Sequence, residues 1–117
     1  MADLGLVTED ALTRLFDTNT DVAVAPGLRG GTNALVVRAS DFHVDYHGCS
    51  YLDHRAIARE QGLDISDIDS FRLACDIDQP VDLVELLLHG TGEAANYVSE
   101  RFELAPADSS PPIRRVT

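Results

Sequence analysis

The run from Phe71 to Leu83 constrains this chain more than any other stretch. Phe71, Leu73, Ala74 and Cys75 lead into Asp76 and Asp78, and Pro80 then opens an apolar-periodic segment closed by His89 and Gly90. The pattern predicts a strand, a short acidic turn and a helix. Carboxylates at i and i+2 on a strand end point to one side of the sheet. In open α/β sheets that carboxyl edge is where ligands sit. Two carboxylates there suit a hard, oxygen-seeking cation such as Mg²⁺, shared with substrate phosphates. Taken alone, Asp-x-Asp fits a capped, solvated strand-to-helix turn better.

The flanking segments set the class. Thr8 is a good N-cap, with Glu9 and Asp10 in the first turn, and Leu12, Leu15 and Phe16 give one short amphipathic helix. Val22 to Ala25 and Ala34 to Val37 are continuous apolar runs, as in strands covered on both faces. Phe42 to Tyr46 suggests a short edge strand. Ser50 to Gln61 predicts a helix with Ser50 and Asp53 as a capping-box variant and Gly62 as the stop. Leu63 to Ser70 is a polar connector. Gly92 to Leu104 predicts a last helix packing through Ala95, Val98 and Phe102. Strands alternating with helices predict an α/β fold with a mostly parallel sheet flanked by helices, over residues 1–104. Residues 105–117, rich in Pro and Ser, are expected to be a disordered tail. Three strands make a narrow sheet, and Asp3 stands where a preceding strand would end. Both points lead us to expect part of a larger domain.

Composition narrows the partners. The chain has 117 residues and a formal charge of −11, with 20 acidic residues against 9 basic ones, all Arg. Such a surface repels nucleic acid and anionic membrane. Acid excess without Lys resembles the proteins of salt-loving archaea. No signal peptide or run long enough to span a bilayer is visible, so a cytoplasmic location is expected. Cys49 and Cys75 lack metal spacing and are expected as buried free thiols.

Two further groups carry chemistry. Gly30-Gly31-Thr32-Asn33 offers backbone N–H groups, a hydroxyl and an amide suited to a carboxylate or phosphate, although a Gly-Gly turn is more often a plain connection. Arg29 is the nearest cation in sequence, with a solvated loop residue the alternative. Ser50, opening a helix, can both cap it and face an anion. His54, one turn in, is a better site contact than His43. A zinc site from His43, His47 and His54, with Asp45, Asp53 and Cys49 nearby, lacks helical His spacing and is the weaker reading. His89 ends its helix as a dipole partner. No Ser/His/Asp set fits nucleophilic catalysis.

Together these segments resemble the CofC family, the 2-phospho-L-lactate guanylyltransferases of coenzyme F-420 biosynthesis, within the MobA-like nucleotidyltransferases. Ala2-Asp3-Leu4 followed by Leu6-Val7-Thr8 is similar to the family's Asp-Leu-Pro-Leu-Leu-Thr segment. Val24-Ala25-Pro26 followed by Gly30-Gly31-Thr32-Asn33-Ala34-Leu35 is similar to its Ala-Pro and Gly-Gly-Thr-Asn-Ala-Leu loop. Ser50-Tyr51 with His54 resembles its Ser-Phe-x-x-His helix start, and Asp76-Ile77-Asp78 with Pro80 and Asp82-Leu83 its acidic turn. Four motifs in order are far more specific than one, and they outweigh the solvated-turn reading.

The resemblance implies a partial Rossmann-like nucleotidyltransferase domain. It also implies that Asp3, Asp76 and Asp78 are catalytic residues holding Mg²⁺ against substrate phosphates. Gly30, Gly31, Thr32, Asn33, Ser50 and His54 would bind the phospho-acid, with Thr32 and Ser50 on its carboxylate. GTP would donate GMP to 2-phospho-L-lactate or phosphoenolpyruvate with release of pyrophosphate, and a homodimer would cover an open sheet edge. Gly5 and Gln79 depart from the family's Pro and Thr. The family's first strand and basic nucleotide-binding loop have no counterpart here, so this chain alone is expected to be a weakly active or inactive fragment. Two other readings are a molybdenum-cofactor-type relative, disfavoured by the Gly-Gly-Thr-Asn and Ser50/His54 motifs, and a non-catalytic remnant or interaction module, disfavoured by retention of three aspartates.

Overall fold

The computed structural model describes residues 3–116; Ala2 of the first motif and Thr117 of the expected tail lie outside them. The chain forms two compact units. One is Val7–Cys75, and the other joins the first six residues to the stretch from Asp76 onward.

In the Val7–Cys75 unit, α1 (Glu9–Phe16) starts where expected, its N-cap Thr8 accepting from the Ala11 N–H at 3.2 Å. Its inner face is Ala11 and Leu15, while Leu12 and Phe16 are exposed. Strands β1 (Val22–Pro26) and β2 (Thr32–Val37) follow, then α2 (Ser50–Glu60), β3 (Ile65–Asp67) and the single turn α3 (Phe71–Ala74). All four residues from Val22 to Ala25 are fully buried, because β1 is the central strand of the order β2-β1-β3 and meets α1, α2 and α3. That is the continuous burial its sequence implied. β2 lies at an edge and is only half-buried. Tyr51 and Arg55 of α2 both hold the Asp67 carboxylate of β3, the Arg55 Nη1 at 2.8 Å.

The sheet is not mostly parallel. β1 pairs with β2 antiparallel and with β3 parallel, and the small second sheet is antiparallel. The cause is loop length: residues 27–31 are too few for the crossover that parallel neighbours require, so β1 and β2 close as a hairpin with a bulge near Pro26. The expected strand at Phe71 is also corrected. Ser70, extended at φ −147°, presents its carbonyl to the N–H groups of Leu73 and Ala74, and the chain turns helically to bury Leu73. The third strand is instead Ile65–Asp67, inside the expected connector. Phe42 to Tyr46 pairs with no strand.

The other unit contains a 3₁₀ turn (Pro80–Asp82) running into α4 (Leu83–His89), then α5 (Glu93–Ser99), β4 (Phe102–Leu104) and β5 (Ile113–Arg115). Leu6, Leu86 and Ala95 are its buried apolar residues. A Cβ on Gly90 would come within 2.5 Å of both Ala95 Cβ and the Leu86 carbonyl, so the α4–α5 corner closes only on glycine. The expected last helix stops at Ser99, and Phe102 starts a strand. β5 pairs with β4 inside the stretch expected to be a disordered tail, and Ala105 N–H to Pro112 carbonyl continues the ladder at 2.9 Å. Among the described residues, no helix is long and apolar enough to cross a membrane.

Candidate functional site

The acidic group lies wholly within the unit that holds Asp76 onward. Cys75 leaves α3 with extended dihedrals (φ −94°, ψ 103°), so Asp76 and Asp78 keep the i, i+2 alternation without belonging to a sheet. The Ile77 N–H donates to the Asp3 carbonyl at 2.8 Å, which ties the N-terminal segment alongside. One carboxylate oxygen from each of Asp3, Asp76 and Asp78 then falls within 4.8 Å of the others, with Asp3 and Asp76 half-buried and Asp78 exposed. Asp82 supports the turn: its Oδ2 accepts the N–H groups of Asp78 and Gln79, each at 2.9 Å. Gln79 is therefore part of an N-terminal cap whatever its own side chain lacks in capping strength.

Three carboxylates this close repel one another. A hydrogen bond shared with Asp76, then partial burial, then the charges of Asp76 and Asp3 push the Asp78 carboxyl up to about 6. A cation among them would reverse that effect. Oxygens about 2.1 Å from Mg²⁺ stand at most about 4.2 Å apart across the ion, and those around Ca²⁺ about 5 Å. The donor set is one that could hold a hard divalent ion. Beside Asp3, a mainly apolar cavity of about 290 Å³ is lined by Gly5, Ile77, Leu83, Leu86, Ala94 and Val98.

The second group lies in the Val7–Cys75 unit. Thr32 Oγ1 is 2.8 Å from His54 Nδ1 and 3.3 Å from Ser50 Oγ. His54 is fully buried, and its Nε2 accepts the Asp45 N–H at 3.1 Å. Phe42 and Tyr46 pack their rings on the imidazole at centroid distances of 5.8 and 5.0 Å, which is what their segment does in place of strand pairing. Burial pushes the His54 imidazole below its ordinary range, against the smaller opposing pulls of Asp53 and Asp45.

Gly30, at φ +81°, occupies a backbone region that disfavours side chains, and its carbonyl accepts the Tyr51 N–H at 3.0 Å. That bond consumes one of the donors at the start of α2. Gly31 borders open space, where a Cβ would meet nothing within 4 Å. Asn33 is directed elsewhere: its Nδ2 donates to the carbonyls of Leu73 and Ala74, both at 2.9 Å, so its amide hydrogens cap α3. Gly27 makes room for it, since a Cβ there would sit 2.7 Å from Asn33 Oδ1.

Cys75 is buried, but Cys49 is exposed at the start of α2, contrary to expectation. Both ring nitrogens of His54 are engaged by the protein, which removes it from any zinc set. His47 is exposed and bonded to Asp45, whose carboxylate raises its pKa. His89, at the end of α4, lies 3.5 Å from Glu85. Sequence reasoning missed the roles of Asp82, Phe42 and Tyr46. Only the first left a signal, an acidic residue three positions after the helix cap.

Across residues 1–117 the sequence matches the family described as guanylyl transferase CofC like. The chain belongs to that family. A CofC-family relative from Natronomonas pharaonis, named 2-phospho-L-lactate guanylyltransferase, is 56% identical over 116 residues, covering 98% of this chain and 58% of the relative. Relatives of the same name from Haloferax volcanii and Haloterrigena turkmenica are 60% and 62% identical, over 84% and 78% of this chain and 48% and 39% of their own. The chain thus spans about half the length of the curated relatives it matches.

Proposed function

We propose that this chain carries the divalent-ion and phospho-acid groups of a guanylyltransferase that transfers GMP from GTP to 2-phospho-L-lactate, or to its close analogue phosphoenolpyruvate. The observation that carries the reading is the convergence of Asp3, Asp76 and Asp78 within 4.8 Å in a chain of this family. In the transfer, a phosphate oxygen of the acid bonds to the α-phosphorus of GTP, and the bond to the pyrophosphate leaving group breaks. The acid's phosphate is itself the nucleophile, so the transfer needs no side-chain nucleophile. A bound Mg²⁺ would supply charge neutralisation at the phosphate oxygens. Asp3, Asp76 and Asp78 would hold it, with Asp82 fixing the backbone at Asp78. Thr32 and Ser50 would hold the acid's carboxylate as one hydrogen-bonded hydroxyl pair that donates to it, beside the open backbone at Gly31. Asn33 serves that group by steadying α3 rather than by touching the acid.

Calorimetric titration of the chain with 2-phospho-L-lactate, with and without Mg²⁺, tests the reading. Binding should require Mg²⁺ and be abolished in Asp76→Ala. Equal binding without the ion, or unchanged binding by Asp76→Ala, would contradict it.

A further inference from the structure

His54 and the two hydroxyls beside it hold a hydrogen count that the geometry resolves. A backbone N–H can only donate, so the Asp45 N–H bonded to His54 Nε2 at 3.1 Å requires a lone pair on that nitrogen. The imidazole is therefore neutral, with its proton on Nδ1. Nδ1–H then donates to Thr32 Oγ1 at 2.8 Å. Thr32 and Ser50 bring two hydroxyl hydrogens, and the single bond between them at 3.3 Å uses one. Ser50 Oγ donates in that bond, so the hydroxyl hydrogen of Thr32 is left over. With the opposite tautomer, Thr32 would donate to Nδ1 and Ser50 to Thr32, and none would remain.

We propose that His54 is a positioning residue: by holding its proton on Nδ1 it turns the Thr32–Ser50 pair into a net donor aimed at an acceptor-only oxygen, a carboxylate or phosphate of the ligand. The surroundings hold the ring in that role. Phe42 and Tyr46 fix its plane, and no part of the side chain is exposed to water that could exchange the tautomer. Thr32 is half-buried, and its Oγ1 accepts from both His54 Nδ1–H and Ser50 Oγ–H, so its own surplus hydrogen is left one direction and is a pre-oriented donor. The identity of the ligand rests on the function proposed above; the proton assignment does not.

Two measurements on the 117-residue chain test this. Long-range ¹H–¹⁵N correlation of ¹⁵N-histidine-labelled protein at neutral pH, without ligand, should give His54 the signature of a neutral ring protonated on Nδ1. An Nε2–H ring or an imidazolium would overturn the proposal. Phosphoenolpyruvate with Mg²⁺ should then bind about tenfold more weakly to His54→Phe, which keeps a ring but lacks the donor. His54→Asn, whose amide N–H can replace Nδ1–H, should recover binding to within about threefold of the parent. A folded His54→Phe that binds as the parent does would also overturn the proposal; should that variant not fold, the tautomer signature decides. A parent chain that shows the Nδ1–H signature yet binds no phosphoenolpyruvate would sink the proposed function and leave the proton assignment standing.

Discussion

Asp78 and His54 are both held away from their ordinary pKa values, for opposite reasons. Asp78 is raised to about 6 by its hydrogen bond with Asp76, then by desolvation and the charges of Asp76 and Asp3. It therefore costs the fold nothing below its ordinary 3.8, where it is protonated folded or unfolded. The cost grows as pH rises between those values and is complete above them. Asp78→Asn should therefore melt higher than the parent at about pH 7.5 without divalent ions, with the gap closing near pH 4, while losing ion binding. A lower melting temperature at the higher pH would contradict the assigned repulsion. His54 is lowered by burial, so its neutral form contributes stability above about pH 6.5 that is lost as pH falls toward the folded value. The urea midpoint should drop between about pH 7 and about pH 5.5 by more in the parent than in His54→Asn. An equal drop in both would show that His54 is not the group responsible. At this scale the spacing of Asp76 and Asp78 suggested an ion site, and it took the four motifs in order to outweigh the solvated-turn reading. Asp3 was read locally only as standing where a strand would end, and the family resemblance brought it into the set.

Among the elements, α1, β1, α2 and α4 were legible because caps, stops and apolar periods agreed. Thr8→Ala should cost about 1 kcal/mol by chemical denaturation, as for loss of an N-cap acceptor. Phe71–Ala74 was misread because a short apolar run fits a buried strand and a buried helical turn alike. Ser70 decides in favour of the turn, but a Ser before an apolar run also bounds strands. β3 was missed because Ile65, Ser66 and Asp67 gain strand character only from pairing beside β1. Asn33 has a structural role that its sequence did not show: its type and loop suggested a ligand contact, and its Nδ2 caps α3. Asn33→Ala should destabilise the Val7–Cys75 unit by about 1 to 3 kcal/mol, the range for carbonyls left without partners, as read from urea unfolding. A change below about 0.5 kcal/mol would contradict the structural role of the Asn33 amide.

For the whole molecule, class was legible and sheet direction was not, because strand order and polarity depend on loop length and pairing more than on strand composition. Net charge, by contrast, was readable directly. At −11 the chain repels itself, so its melting temperature should rise as KCl increases from about 0.05 to about 0.5 M, where screening of surface charge is steepest. A flat or falling response would show that the acidic surface is not a destabilising load. The central claim is that Asp3, Asp76 and Asp78 form one divalent-ion site, and substoichiometric Mn²⁺ with ¹⁵N-resolved amide spectra tests it most directly. Line broadening should centre on Asp3, Asp76, Ile77 and Asp78 and be reversed by excess Mg²⁺. Broadening spread evenly over exposed acidic residues such as Glu9 and Asp10, or absent from Asp3, would contradict it.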